Sequence, residues 1–254
     1  MPGETGWDIG VLGWFPTQHP TIDKGKASDF TNPSLLTFAG KPKFAEGADV
    51  GFAVGRHNQL RFYYTEAKAA GNTTVNHDVT LFDQTYNAGD LVSTNYRVQD
   101  FKLVFEFLTW PFPVESRKFR LRTLWGVRYL TVRSIFDAPL KPITDSSGNP
   151  LVDASGQPIT FRTEGSKNVI YPSLGIGVQQ YIGRYVRLEA AGAGFAWPHR
   201  SVVWDADGSV NVRAGHFELR VGVKALHFKT SPKSDFFNTG TLAAPFVGLR
   251  WYSD

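Results

Sequence analysis

The stretch Phe119-Arg120-Leu121-Arg122-Thr123-Leu124-Trp125-Gly126-Val127-Arg128-Tyr129 decides the fold. Side chains on a β-strand point alternately to opposite faces. Phe119, Leu121, Trp125, Val127 and Tyr129 therefore share one face, and Arg120, Arg122 and Arg128 share the other. The core of a soluble sandwich does not take three arginines, because burying unpaired charge costs too much. The wet interior of a barrel whose outside meets hydrocarbon does.

The bulk properties fit that reading. A chain of 254 residues is long enough for one barrel domain, here taken as residues 1 to 254. The mean hydropathy of −0.22 looks soluble, yet strand alternation hides half of each strand's apolarity in a membrane barrel. No apolar run reaches the roughly 18 residues of a transmembrane helix, which excludes that class. Aromatics make up 14% of the chain, a share that suits girdles at two membrane interfaces. There is no cysteine, which suits passage through an oxidising periplasm. The net charge of +4 comes without a basic run, so nucleic acid is excluded as a partner. Met1-Pro2-Gly3-Glu4 lacks the charged and apolar regions of a signal peptide. Met1 is read as a start added to a mature sequence whose signal peptide has been removed.

Counting outward from the arginine strand gives ten strands. The first covers residues 6 to 15, with Trp7, Ile9 and Val11 on one face. The second carries Val50, Phe52 and Val54, and turns at Arg56-His57-Asn58 into the third, with Leu60, Phe62 and Tyr64 outward and Arg61, Tyr63 and Thr65 inward. The fourth sets Phe101, Leu103, Phe105 and Phe107 against Lys102, Val104 and Glu106, and ends at Trp110 before Pro111. The sixth spans about residues 169 to 181. The seventh sets Val186, Leu188 and Ala190 against Arg187 and Glu189. Gly192-Ala193-Gly194-Phe195 and Pro198-His199-Arg200 break it. In the eighth, Trp204, Ala206, Val210 and Val212 oppose Asp205, Asp207, Asn211 and Arg213. The ninth sets Phe217, Leu219, Val221 and Val223 against Glu218, Arg220 and Lys224. The tenth, residues 241 to 252, follows Ser231-Pro232-Lys233-Ser234-Asp235.

Three connections are long: residues 16 to 47, 68 to 95 (with strand-like pieces at 78 to 86) and 137 to 167. Those on the opposite end are tight. This sorting predicts an all-β fold, a single antiparallel up-and-down transmembrane β-barrel with short periplasmic turns, long external loops and both termini in the periplasm. The third long loop holds a tandem repeat, Asp145-Ser146-Ser147-Gly148-Asn149-Pro150-Leu151-Val152 followed by Asp153-Ala154-Ser155-Gly156-Gln157-Pro158-Ile159-Thr160. Its Gly-x-Pro turn chemistry predicts a surface hairpin.

The last third carries a family resemblance. Gly192-Ala193-Gly194-Phe195, Trp204-Asp205-Ala206-Asp207, Phe217 to Lys224, and the ending Pro245-Phe246-Val247-Gly248-Leu249-Arg250-Trp251-Tyr252 resemble the small outer-membrane β-barrels of Gram-negative bacteria, of OmpA/OmpW-like type. The resemblance implies a cell-envelope protein of the bacterial outer membrane. It also implies outer-membrane lipid and lipopolysaccharide as surroundings, and the outer-membrane assembly machinery as a partner during biogenesis. It implies no particular activity, because one architecture hosts pores, enzymes, adhesins and anchors.

The inward positions define the candidate site, a lumen charge network of Lys102, Glu106, Arg120, Arg122, Arg128, Arg187, Glu189, Asp205, Asp207, Glu218, Arg220, Lys224 and Arg250, with Asp8, Asp49, Arg61 and Arg213 on the same face. Barrels of about eight strands are filled by side chains and open channels come with about sixteen, so ten predicts a largely plugged lumen or a very narrow pore. Trp7, Trp110, Trp125, Tyr129, Trp204 and Trp251 are the expected membrane-interface aromatics. The role expected is a structural, surface-exposed scaffold, whose loops are the surface an extracellular ligand would meet.

Two alternatives stay open. One is a rim-active outer-membrane hydrolase. Asp205-x-Asp207 resembles the carboxylate pair of the ten-stranded outer-membrane proteases, but no Asp-x-His partner exists. His227-x-x-x-Ser231 departs from the His-x-Ser spacing of lipid A deacylases. Pairing of Asp205 and Asp207 with Arg220 and Lys224 on the next strand is the plainer expectation, and no catalytic residue is assigned. The other alternative is a soluble ligand-binding β-barrel with Met1 as the native start. The histidines are scattered, with no metal-ligand spacing, and no cofactor motif is present.

Overall fold

The computed structural model describes residues 6–24, 34–55, 57–81, 84–111, 118–198, 201–230 and 236–253. The expected turn at Arg56, the break at His199 and Arg200, and the connection 231 to 235 fall partly or wholly outside them. Fourteen strands follow in chain order: β1 (Trp7–Trp14), β2 (Thr21–Lys24), β3 (Ser34–Thr37), β4 (Ala45–Val54), β5 (Asn58–Thr74), β6 (Val79–Leu81), β7 (Gln84–Tyr86), β8 (Leu91–Trp110), β9 (Phe119–Pro142), β10 (Thr160–Ile182), β11 (Val186–Trp197), β12 (Ser201–Ala214), β13 (Phe217–Lys229) and β14 (Phe236–Tyr252). Ten of them form the barrel, in the order β1-β4-β5-β8-β9-β10-β11-β12-β13-β14, and β1 pairs back onto β14. Every pairing is antiparallel, and Ile9↔Trp251 and Ile9↔Val50 set the register at the seam. Closure removes the sheet edges that an open sheet would expose to lipid.

The lower connections are tight, as at Gly183 and Gly215, both at positive φ. The upper ones hold everything else. Here the expected loop limits need correction. Residues 68 to 74 and 91 to 95 belong to β5 and β8, and residues 137 to 142 and 160 to 167 belong to β9 and β10. The strand-like pieces at 78 to 86 are the separate β6–β7 hairpin. The first long connection carries β2 and β3, which extend the sheet from the upper end of β14, and β4 already begins at Ala45.

The reason is a reversal of polarity along single strands. On β9 the inward positions run Arg120, Arg122 and Arg128 below, then Leu130, Val132, Phe136 and Ala138 above, all buried. Outward, Trp125, Val127 and Tyr129 give way to the exposed Arg133. Alternation persists, but apolar and polar residues exchange faces where the wall leaves hydrocarbon for water. From Phe119 to Tyr129 the strand climbs about 25 Å, at about 3.3 Å per residue and a tilt of about 40°, which matches the apolar band of an outer-membrane barrel.

Above that level β5, β8, β9 and β10 form a tower with an apolar inside. Phe38 fills it, fully buried between Tyr96 (5.1 Å between ring centres) and Phe136 (5.5 Å). Its segment lies against the inner wall, where Ala39 N donates to Thr94 Oγ1 at 2.9 Å. A Cβ on Gly40 would stand 2.6 Å from the Ala70 carbonyl carbon, so only glycine permits this approach. Tyr86 closes the core from β7, its hydroxyl 3.1 Å from Thr163 Oγ1. Phe38→Ala is expected to cost the tower about 3–5 kcal/mol. Limited proteolysis should then cut within residues 16 to 44 while the barrel stays heat-modifiable on gels. Unchanged protease resistance would contradict this packing.

Candidate functional site: the charged lumen

Below the tower, inward side chains of nine of the ten barrel strands meet in ion pairs, and β10 adds the polar Gln179 beside Glu189. Arg61 is the lower hub. Its guanidinium grips Asp8 through two bonds, Nη1–Oδ1 at 2.7 Å and Nη2–Oδ2 at 2.8 Å, and also bonds Asp49. Its Nε stands 3.4 Å from Glu106. Arg250 reaches the same two aspartates, at 2.7 Å from Asp49 and 3.2 Å from Asp8, and Arg220 lies 3.5 Å from Asp49. Bidentate guanidinium–carboxylate pairs fix geometry as well as charge. Gly51 makes room for them: a Cβ there would fall 2.5 Å from Asp8 Oδ2 and 2.6 Å from Arg61 Nη2.

Neighbouring groups extend the cluster around the wall. Arg122 pairs with Glu106 at 3.1 Å, which also accepts from Tyr63 Oη at 2.9 Å. Arg187 pairs with Glu218 at 2.8 Å and Glu189 at 3.2 Å. Tyr252 Oη donates to Glu218 at 3.0 Å. Arg120 lies over the Tyr181 ring, 5.8 Å from its centre. Arg213 stands at the lower rim over the Tyr252 ring.

The upper hub is Asp205. Lys102 Nζ donates to it at 2.7 Å and Arg128 bonds its other oxygen. Arg128 also lies 3.0 Å from Asp100. This corrects one expectation. Asp205 pairs across the lumen with β8 and β9, not with Arg220 or Lys224 on the adjacent β13. Lys224 instead donates to Thr65 Oγ1 at 3.0 Å. Asp207 lies opposite Lys224 in the β12–β13 register and lines a small cavity with Arg220. Asp8 and Asp49 take the inward places that alternation gives them, and the partner that sequence reasoning missed is Asp100. Its signal was its inward position on β8, two residues before Lys102.

The interface aromatics separate by height. Trp7 and Trp251 meet with tilted rings, centres 5.0 Å apart, at the lower end of the seam, and Trp110 meets Phe119 at 5.6 Å, also low. Tyr129 joins an upper row with Phe101. Trp204 sits near the upper end of β12, stacked on His227 at 5.4 Å. Trp125 lies midway up the wall beside Phe105 and Leu174, away from both ends. His227 bonds Thr241 Oγ1 at 2.8 Å, and Ser231 lies outside the described residues.

A closed ten-stranded barrel with an apolar outside and an ion-paired inside is an outer-membrane β-barrel. Among solved structures, the outer membrane protease OmpT from Escherichia coli is similar over 96% of both chains, with a TM-score of 0.61 and 8% identity. The translocator domain of autotransporter NalP from Neisseria meningitidis aligns over 97% of this chain and 88% of its own, with a TM-score of 0.47 and 9% identity. Ail, the attachment invasion locus protein of Yersinia pestis, aligns over 98% of both chains with a TM-score of 0.37 and 9% identity. No family model matches the chain and no curated protein does. The likeness to OmpT is one of fold, the outer-membrane β-barrel, and no family model assigns the chain to a narrower type such as the OmpA/OmpW-like one.

Proposed function

We propose that this chain is an integral protein of the bacterial outer membrane that acts as a rigid scaffold for its external tower, with a lumen sealed against solute passage. The observation that carries this is the lumen itself. Its upper hub at Asp205 ties β12 across the lumen to β8 and β9, its lower hub at Arg61 ties β5 to β1, β4 and β8, and three cavities beside them measure about 40, 30 and 10 Å³. About 10–15 Å³ holds one water, so these spaces take a few waters and no hydrated ion. The barrel stands in lipid through its apolar belt, and the loops above face the exterior.

The hydrolase reading has less behind it. Asp205 is bonded to two cations inside the barrel, and Asp207 beside it lines internal cavities rather than an open rim cleft. Purified protein reconstituted into planar bilayers is expected to give no stable unitary current. Sustained, reproducible current steps would overturn the sealed-lumen reading.

A further inference from the structure

Among the described residues, the tower wall has an open side. β5, β8, β9 and β10 climb above the lipid-facing belt, while β11 ends at Trp197, β12 begins at Ser201 and β13 ends at Lys229. β10 therefore loses one neighbour partway up. Its pairing with β11 stops at Leu174↔Gly194, whereas its pairing with β9 continues to Thr160. Tyr181 N donates to Lys118 O on the β9 side. From there upward the odd-numbered residues of β10 bond β9, and the even-numbered ones turn N–H and C=O the other way. Pro172, an even-numbered residue, has no N–H to give, and the β11 ladder ends beside it.

Above Pro172 the backbone groups of Arg162, Glu164, Ser166, Asn168 and Ile170 face the open side, and among the described residues no strand pairs with them there. This edge is about 26 Å long. It starts beside Tyr129 and Phe101, the aromatics at the top of the lipid-facing belt, and rises from there into water. Its side chains select what it admits. On the inner side Val169 packs against the tower core, and below it Tyr171, Phe195 and Trp197 follow one another with ring centres 5.9 Å and 6.3 Å apart. Trp197 is 53% exposed at the foot of the gap. On the outer side Arg162 is exposed, and the one carboxylate of the edge, Glu164, is already bonded to Arg133.

The geometry narrows the occupant. A long bare edge is a template for another strand, and its row of donors and acceptors matches an extended polypeptide. A second copy in the same membrane does not fit. Two barrels inserted alike are related by an axis along the membrane normal, and strands tilted by about 40° would then cross at about 80° instead of lying side by side. The occupant is therefore a segment of a different protein. Charge complementarity to Arg162 makes it acidic on its outer side, and Val169 and Trp197 make it apolar on its inner side.

We propose that the open edge of β10 takes up an extended acidic segment of another protein, added as a strand in the place above β11. This rests on the tower standing outside an outer membrane. The test titrates the full-length, detergent-solubilised barrel with a short fluorescent peptide alternating valine with glutamate and threonine. Two control peptides carry N-methyl groups along the bonding edge, or lysine in place of glutamate. The acidic peptide should bind, and N-methylation should abolish binding. Ser166→Pro removes an N–H from the open side and none from the β9 ladder. It should weaken binding about ten-fold while the barrel stays heat-modifiable. Arg162→Glu should move the preference to the lysine peptide. Binding of the N-methylated peptide, an unaffected Ser166→Pro, or no binding of any peptide overturns the edge as a docking strand. Equal binding of the glutamate and lysine peptides overturns the acidic partner. A chain that stays soluble without detergent would sink the outer-membrane reading and leave the peptide result standing.

Discussion

Asp205→Ala is expected to lower the unfolding free energy of the detergent-solubilised barrel by about 3–5 kcal/mol, the cost of leaving buried cations without their counter-charge. Asp205 is the shared acceptor for Lys102 and Arg128, and all three side chains are almost fully shielded. Arg128 keeps Asp100 as a partner, so Lys102 bears most of the loss. Asp205→Asn retains shape and one acceptor and should fall between the two. Combining Asp205→Leu with Lys102→Met should recover much of the stability, because an apolar pair of similar volume carries no desolvation cost. Urea unfolding followed by tryptophan fluorescence measures all of these. A loss under about 1 kcal/mol for Asp205→Ala would mean that water screens the hub as it screens surface pairs, and the sealed lumen would go with it.

Leu174→Arg and Leu140→Arg should separate sharply although both residues are exposed, at 49% and 77%. Leu174 pairs with Trp125 midway up the lipid-facing wall. A charge there is expected to cost about 2–4 kcal/mol. Leu140 is on the tower, where water surrounds it, and its substitution should change stability by less than about 0.5 kcal/mol. Unfolding from lipid vesicles, rather than from detergent, gives the relevant comparison. Equal small effects at the two positions would show that no hydrocarbon touches Leu174.

Strand number and facing were legible because alternation has one simple cause. Arg120, Arg122 and Arg128 turn inward as their spacing demands. Two features were not legible. The tower is hidden because its alternation runs with the faces exchanged: from Leu130 through Val132 and Phe136 to Ala138 the apolar residues of β9 turn inward, so apolar residues no longer mark the outer face. The ion-pair partners were hidden for a different reason. Lys102 and Asp205 stand 103 positions apart, and only the closure and stagger of the barrel bring β8 opposite β12. Cross-strand neighbours follow from hairpin register, whereas cross-lumen neighbours follow from how the sheet rolls up. Phe38 follows a strand of only four residues, β3, whose alternation (Leu36 and Phe38 buried about an exposed Thr37) is too short to count in a stretch otherwise rich in Pro and Lys.

The tandem repeat has a consequence for how this protein can change. Ile143, Leu151 and Ile159 bond in a ring: Leu151 N donates to Ile143 O, Ile159 N to Leu151 O, and Ile143 N to Ile159 O, each at 2.8 Å. Between them each repeat makes its own small hairpin, turned by Gly148 and Gly156 at positive φ. Three segments joined by two repeats form a closed circuit with no vacant partner in the ring. A third copy, as strand slippage during replication would add, finds no vacancy there and must open the ring to enter. The length of the outermost loop is thus self-limiting, and its sequence is more open to drift than its copy number.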